Sequence, residues 1–294
     1  MFLARVQNSK RILVAPLNWG LGHATRCIPI INALLERGHQ PFLASDGVAL
    51  ALLQKEFPDL PAFELSSYKI KYAEKGRNFK VKKIRDSPKV NKAMRAEKKE
   101  IKKLIKKYAL DGIISDNRLG VYSKRLPCVF ITHQLNVLSG NTTWMSSKAH
   151  QKIIKKFDAC WVPDVEGKPN LTGKLGHLKK TKLHIAYLGP LSRFKKKDIP
   201  LKYDLMVLLS GPEPQRTFLE EKIWEELKQF EGKVLFVKGK IEAEQTCSEI
   251  PSAKGQMTVY NFMQSQTLEE ALNSSAEVLC RSGYTTVMDL AKLE

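Results

Sequence analysis

A histidine directly behind a glycine pair, Gly20-Leu21-Gly22-His23, is the first grouping in this chain whose residue types can do chemistry. The glycines let the backbone turn tightly and approach a ligand, and a helix opening there presents unpaired N–H groups to polar or anionic groups. A neutral imidazole near its unperturbed pKa of about 6.5 can accept a proton at physiological pH. The grouping is not a dinucleotide fingerprint, which needs a third glycine where Thr25 stands. Glycine turns between strand and helix also recur for steric reasons alone, so local sequence leaves His23 open as a packing residue.

Further turns carry polar groups. Cys280-Arg281-Ser282-Gly283-Tyr284-Thr285-Thr286 combines hydroxyls, a guanidinium and a helix start, a set that suits a diphosphate. Asp289 follows inside that helix, in reach of a ribose. Ser210-Gly211-Pro212-Glu213-Pro214-Gln215-Arg216 is a second donor-rich turn, although Gly and Pro there are also ordinary turn chemistry. Asp116-Asn117-Arg118 and Thr132-His133-Gln134 end two apolar runs, which puts them on the same edge as His23 if the sheet is parallel. Polar residues satisfied inside a core are the plainer account of both.

The elements that must position these groups read as an α/β series. Arg11–Leu17 is an apolar, β-branched run, His23–Arg37 repeats apolar residues at helical spacing, and Pro41–Ser45 is a second strand before a helix over Gly47–Phe57. This β-α-β unit implies a parallel sheet with right-handed crossovers. Short apolar runs at 63–66, 112–116, 128–132, 159–162 and 184–188 continue it, with helices near 90–108 and 146–157. The polar, proline-ended stretch 195–200 suits a linker. A second series then begins, with strands at 204–209, 234–237, 257–262 and 278–279, a helix over 214–230, and another opening near Tyr284. The expected domains are residues 1–195 and 201–294.

Composition narrows the class. An apolar fraction of 43% supports packed cores. Cys27, Cys128, Cys160, Cys247 and Cys280 are odd in number and scattered, which argues against a disulfide framework and for a reducing compartment. No CxxC or HExxH spacing occurs, so no metal is expected. The N-terminus lacks a cleavable signal pattern and no apolar run is long enough to span a bilayer, so a cytoplasmic protein is expected. The net charge of +19 is uneven: residues 69–107 hold seventeen Lys/Arg against four Asp/Glu. A solvated helix face is one reading, and an anionic membrane surface another. Nucleic acid is not expected as a partner, because the segment has little aromatic interleaving for base stacking.

NWGLGHATRCIPIINALLERGH, followed far downstream by CRSGYTTVMDLAKL, resembles glycosyltransferase family 28, whose best-known members attach N-acetylglucosamine to the peptidoglycan lipid precursor. The ISDNR and THQL segments bring it closer to a group of predicted bacterial glycosyltransferases. The resemblance implies a glycosyltransferase-B fold, two Rossmann-like parallel-sheet domains with the acceptor on the first, the nucleotide sugar on the second and a cleft between. It assigns the diphosphate to Arg281, Ser282, Gly283 and Thr286, the ribose to Asp289, the uracil to the stretch at Phe262 and Met263, and a further phosphate loop to Ser210, Gly211 and Gln215. It places a sugar-contacting motif beyond Glu294, so the second domain is expected to be C-terminally truncated.

The function so implied is inverting, metal-independent transfer from a nucleotide sugar such as UDP-N-acetylglucosamine to a hydroxyl acceptor, lipid-linked or in a cell-envelope glycan. The nucleotide sugar is a co-substrate and no cofactor is expected. His23 is the first choice as base, with Asp116 as its orienting partner or the alternative base. Gly20, Gly22, Asn117, Arg118, His133 and Gln134 are expected on the acceptor side. The protein would then be peripheral on the inner face of the plasma membrane. A sugar-nucleotide epimerase or hydrolase of the same fold, and a non-catalytic basic binding protein, are the competing readings.

Overall fold

The structure is a computed structural model that describes residues 9–68, 88–138, 140, 143–211, 213–252 and 255–294. The basic stretch 69–87 lies outside the described residues, so that part of the expected membrane-facing segment has no structural account.

Seven parallel strands form the first sheet: β1 (Arg11–Pro16), β2 (Gln40–Ser45), β3 (Ala62–Glu64), β4 (Gly112–Asp116), β5 (Cys128–Ile131), β6 (Ala159–Val162) and β7 (Ile185–Tyr187). Their spatial order is β3-β2-β1-β4-β5-β6-β7. Because β1 is buried on both faces, successive side chains serve different layers. Val14 packs with α1 (Gly22–Glu36) and α2 (Gly47–Glu56) through Cys27, Ile28, Ile31, Leu52 and Leu53. Leu13 packs on the opposite side with Ile101 of α3 (Pro88–Tyr108) and Ile154 of α4 (Thr143–Ile154). The strand order reverses between β1 and β4, and ligands of open α/β sheets bind outside the strand ends at such a switch.

The second sheet holds β8 (Tyr203–Leu208), β9 (Gly232–Val237), β10 (Cys247–Ser252), β11 (Gly255–Tyr260) and β12 (Ser275–Cys280) in the order β10-β11-β9-β8-β12. All pairs are parallel except β10 with β11. On one face, α5 (Gln215–Leu227) covers Val207 and Phe236; on the other, α6 (Ser265–Asn273) and α7 (Tyr284–Leu293) cover Met206 and Leu235. Phe194, just before the expected boundary at residue 195, packs in this second core.

Two elements depart from the sequence reading. Sequence alone assigns no strand to CSEIPS, yet β10 pairs with β11 residue for residue from Cys247 to Ser252. As an edge strand it is held by main-chain ladder bonds and needs no apolar pattern, and it tolerates Pro251. The nine-residue α6 is also absent from that reading, because it contributes only Leu268, Ala271 and Leu272 to the core.

Candidate active site

The two sheets face each other across a cavity of about 270 Å³. Gly20, Gly22 and His23 enter it from the turn between β1 and α1, and Gly283 and Thr286 from the start of α7. Gly22 stands where the halves come closest. Thr285 Oγ1 donates to the Gly22 carbonyl at 2.9 Å, and a Cβ at residue 22 would sit 2.8 Å from that hydroxyl.

His23 Nδ1 lies 2.7 Å from Asp116 Oδ1, the carboxylate that ends β4. The two residues meet because β1 and β4 are neighbours, so α1 starts beside the last residue of β4. Asp116 is completely buried, whereas the His23 side chain is 13% exposed toward the cavity. Burial alone would raise the Asp116 pKa, but the Arg26 guanidinium and His23 outweigh it and hold the carboxyl down at about 2. Burial pushes His23 below its ordinary range, with Asp116 pulling the other way and Arg26 adding to the drop. At neutral pH the pair is therefore an anionic carboxylate and a neutral imidazole. An ionised carboxylate only accepts, so the ring that bonds it carries its hydrogen on Nδ1 and its free lone pair on Nε2; Arg26 Nη2, 2.7 Å from the same Nδ1, then donates to Asp116 and not to the ring.

His133, in the loop after β5, also lines the cavity and is held down at about 3, by burial first and then by Arg26. The other residues expected on this side do not join it. Gln134 is exposed, and Asn117 is a half-buried residue with φ of 57° that the cavity does not reach. Arg118 is fully buried: it pairs with Asp46 and Glu97, both at 2.6 Å, and donates to the Ser66 carbonyl at 2.8 Å. It ties α2 and α3 to the sheet and does not touch the cleft, which corrects its expected acceptor-side place.

On the opposite wall stand Ser210, Gly211, Phe262, Met263, Gly283, Thr286 and Asp289. Arg281 turns away from the cavity, donating to the Ser210 carbonyl at 3.2 Å and packing so tightly on Gly211 that a Cβ there would collide with it. It braces the loop after β8 and does not line the cleft. Gln215 and the exposed Ser282 do not line it either. Asp289 accepts from Ser192 Oγ at 2.7 Å, and burial raises its pKa to about 6 against the pull of Arg193.

Arg193 is the cleft residue that the sequence reading overlooks. Its Nε and Nη1 are buried without a hydrogen-bond partner among the described residues, and the residue lines the cavity together with Asp289. Buried donors are nearly always paired, so a guanidinium with two unsatisfied nitrogens in a cavity wall can take an anionic group, even with Asp289 attracting it and the Phe194 ring 4.8 Å beneath it. The available signal was an arginine just past the Gly189-Pro190 turn that follows β7.

Two Rossmann-like sheets facing across a cleft define the glycosyltransferase-B fold, and solved structures share it. Phytolacca americana UGT2, complexed with UDP-2fluoro-glucose and pterostilbene, superposes with a TM-score of 0.58 over 97% of this chain and 78% of its own, at 13% identity. In sequence, the chain is 30% identical over 168 residues, 52% of its length and 43% of the relative's, to an uncharacterized glycosyltransferase of Methanosarcina mazei. It is 24% identical over 198 residues, 64% of its length and 52% of the relative's, to a Haemophilus ducreyi UDP-N-acetylglucosamine--N-acetylmuramyl-(pentapeptide) pyrophosphoryl-undecaprenol N-acetylglucosamine transferase. The chain thus spans about half the length of the curated relatives it matches. No protein-family profile matches it. The likeness to glycosyltransferase family 28 carried by the two motifs is supported by these relatives, which are themselves glycosyltransferases.

Proposed function

We propose that the protein transfers a sugar from a nucleotide sugar, UDP-linked as in UDP-N-acetylglucosamine, to a hydroxyl acceptor with inversion at the anomeric carbon. The observation that carries this reading is the His23–Asp116 pair in the wall of a cavity that the N-terminus of α7 enters from the other side. His23 Nε2 takes the proton of the acceptor hydroxyl as its oxygen bonds to the anomeric carbon. The bond from that carbon to the diphosphate breaks, and the electron pair leaves on the phosphate. First-turn N–H groups of α7 lack intrahelical partners, and with the helix dipole and Arg193 they meet the charge that leaves. Phe262 and Met263 give the nucleobase an apolar wall, and Asp289 accepts from the ribose. The scheme draws on no metal or cofactor.

A lipid-linked acceptor, met at the inner face of the plasma membrane, fits the basic side of the first domain. From Lys92 to Lys107, α3 exposes eight Lys/Arg. Lys98 of α3 and Lys156 just past α4 both lie over the Tyr122 ring, at 4.9 and 5.6 Å, so the two basic surfaces meet. On α4, Trp144 and Met145 are 67% and 54% exposed. Among the described residues no helix is long and apolar enough to cross a membrane. An exposed indole among lysines suits an anionic interface.

The test follows UDP release and sugar transfer from UDP-N-acetylglucosamine to a polyprenyl-linked acceptor in anionic vesicles. His23→Ala should abolish transfer while UDP affinity by calorimetry stays near wild type. Equal turnover in that variant would remove the proposed base.

A further inference from the structure

His23 and Asp116 do not stand as a pair of their own. Arg26 is three residues further along α1, hence on the same helix face as His23, and is only 2% exposed. Its Nε and Nη2 donate to the two oxygens of Asp116, the two-point grip that a guanidinium makes and an ammonium does not. Its Nη1 donates to His133 Nδ1 at 3.0 Å, and Nη2 lies 2.7 Å from His23 Nδ1. The His133 ring in turn stacks on Tyr284 of α7 at 4.4 Å.

We infer that Arg26 is a positioning residue for the proposed base: it locks the carboxylate that orients His23, and through His133 it ties that carboxylate to Tyr284 of the second domain. Its catalytic meaning rests on the function proposed above; its effect on His23 does not.

In a plain carboxylate–imidazole pair, the proton that arrives on the ring is neutralised by the carboxylate. Here Arg26 has already matched the charge of Asp116, so a protonated His23 would add an uncompensated positive charge to a buried site. The charged and titratable groups that act on His23 are Asp116 of β4, Arg26 of α1 and His133 after β5, while Cys27 and Tyr284 act on Arg26 and Asp164 acts on His133 and Tyr284. Of the groups that act on His23, only Asp116 favours the protonated ring. Burial is the larger cause that holds His23 below its ordinary range, and Arg26 adds to it against the pull of Asp116. Arg26 also fixes a second tautomer, because a His133 Nδ1 that accepts from Arg26 leaves the hydrogen on Nε2.

The experiment is a histidine-labelled NMR titration of the whole chain, with transfer rates measured over the same pH range, for wild type, Arg26→Gln and Arg26→Lys. In R26Q the His23 titration and the acid limb of the rate profile should both move up by roughly one unit or more. In R26K the charge remains and the grip is lost, so the titration should stay near wild type while transfer falls at least about tenfold and the His133 signal shifts. A His23 titration in R26Q matching wild type overturns the inference. If R26Q does not fold, a wild-type rate with an unchanged His133 signal in R26K overturns it. Should His23→Ala still transfer sugar, the base assignment fails, and the NMR shift continues to report on Arg26 independently.

Discussion

Tyr284 stacks on His133 across the cleft, ring centroids 4.4 Å apart and planes 15° apart, and its hydroxyl donates to the Pro163 carbonyl at 2.6 Å. The residue that opens α7 of the second domain is thus seated in the first. Replacing the ring tests how firmly. Tyr284→Phe removes one hydrogen bond, about 1 kcal/mol. Tyr284→Ala also removes a stack of about 0.5–1.5 kcal/mol. The thermal midpoint should fall in that order, and transfer should fall more in Y284A than in Y284F. Equal rates in the two variants would mean that the stack does not hold the working arrangement.

Arg193 offers the cleanest separation of binding from folding. Two of its nitrogens have no hydrogen-bond partner among the described residues, but the guanidinium lies 4.8 Å over the Phe194 ring and attracts Asp289, so Arg193→Ala should lower the thermal midpoint modestly, by about 1 kcal/mol of stability. A charge-assisted hydrogen bond to phosphate is worth about 1.5–3 kcal/mol, so UDP affinity should drop roughly tenfold to a hundredfold. Calorimetry with UDP and with uridine decides the point: a loss confined to UDP places the guanidinium on the diphosphate, and an equal loss for both refutes that placement.

The sequence carried the alternation of strands and helices because doubly covered strands are short apolar runs, and most of those runs match β1 to β9. It carried His23, at the start of α1, and Asp116, at the end of β4, as an expected base and its orienting partner or alternative base. That they touch follows from the reversal of strand order between β1 and β4, which no local pattern encodes. Arg26 stood unread inside the helix pattern, because a buried arginine looks like any other helical polar residue until its partner from β4 is in place. Arg118 misled for the converse reason. Its position after a strand end suggests the ligand edge, but a left-handed backbone at Asn117 precedes it and its side chain turns into the protein, to Asp46 and Glu97.

That network gives Arg118 a structural role that can be checked. Arg118→Ala would leave two buried or nearly buried carboxylates without their cation, a loss of about 3–5 kcal/mol. The expected result is a strong drop in thermal midpoint with near-normal turnover per folded molecule at low temperature. A stable variant with impaired acceptor binding would instead return Arg118 to the cleft.

Acid should destabilise the protein well before Asp116 is titrated. His133 falls from an ordinary 6.5 to about 3 in the folded state, chiefly by burial, and His23 shifts in the same direction. Below pH 6.5 the unfolded chain therefore binds protons that the folded one refuses. The stabilisation is full above 6.5 and is lost as the pH falls from there toward 3. Asp116, held at about 2, keeps its contribution until still lower pH. Asp289 acts with the opposite sign: burial raises it to about 6, so its share is present below the ordinary 3.8 and lost as the pH rises through 6. With two histidines opposing one carboxyl, the thermal midpoint should decline between pH 6.5 and 4. His133→Gln, which cannot be protonated, should show a shallower decline than wild type over that window. Parallel slopes would mean that His133 takes up its proton in the folded state, which would contradict its burial against Arg26.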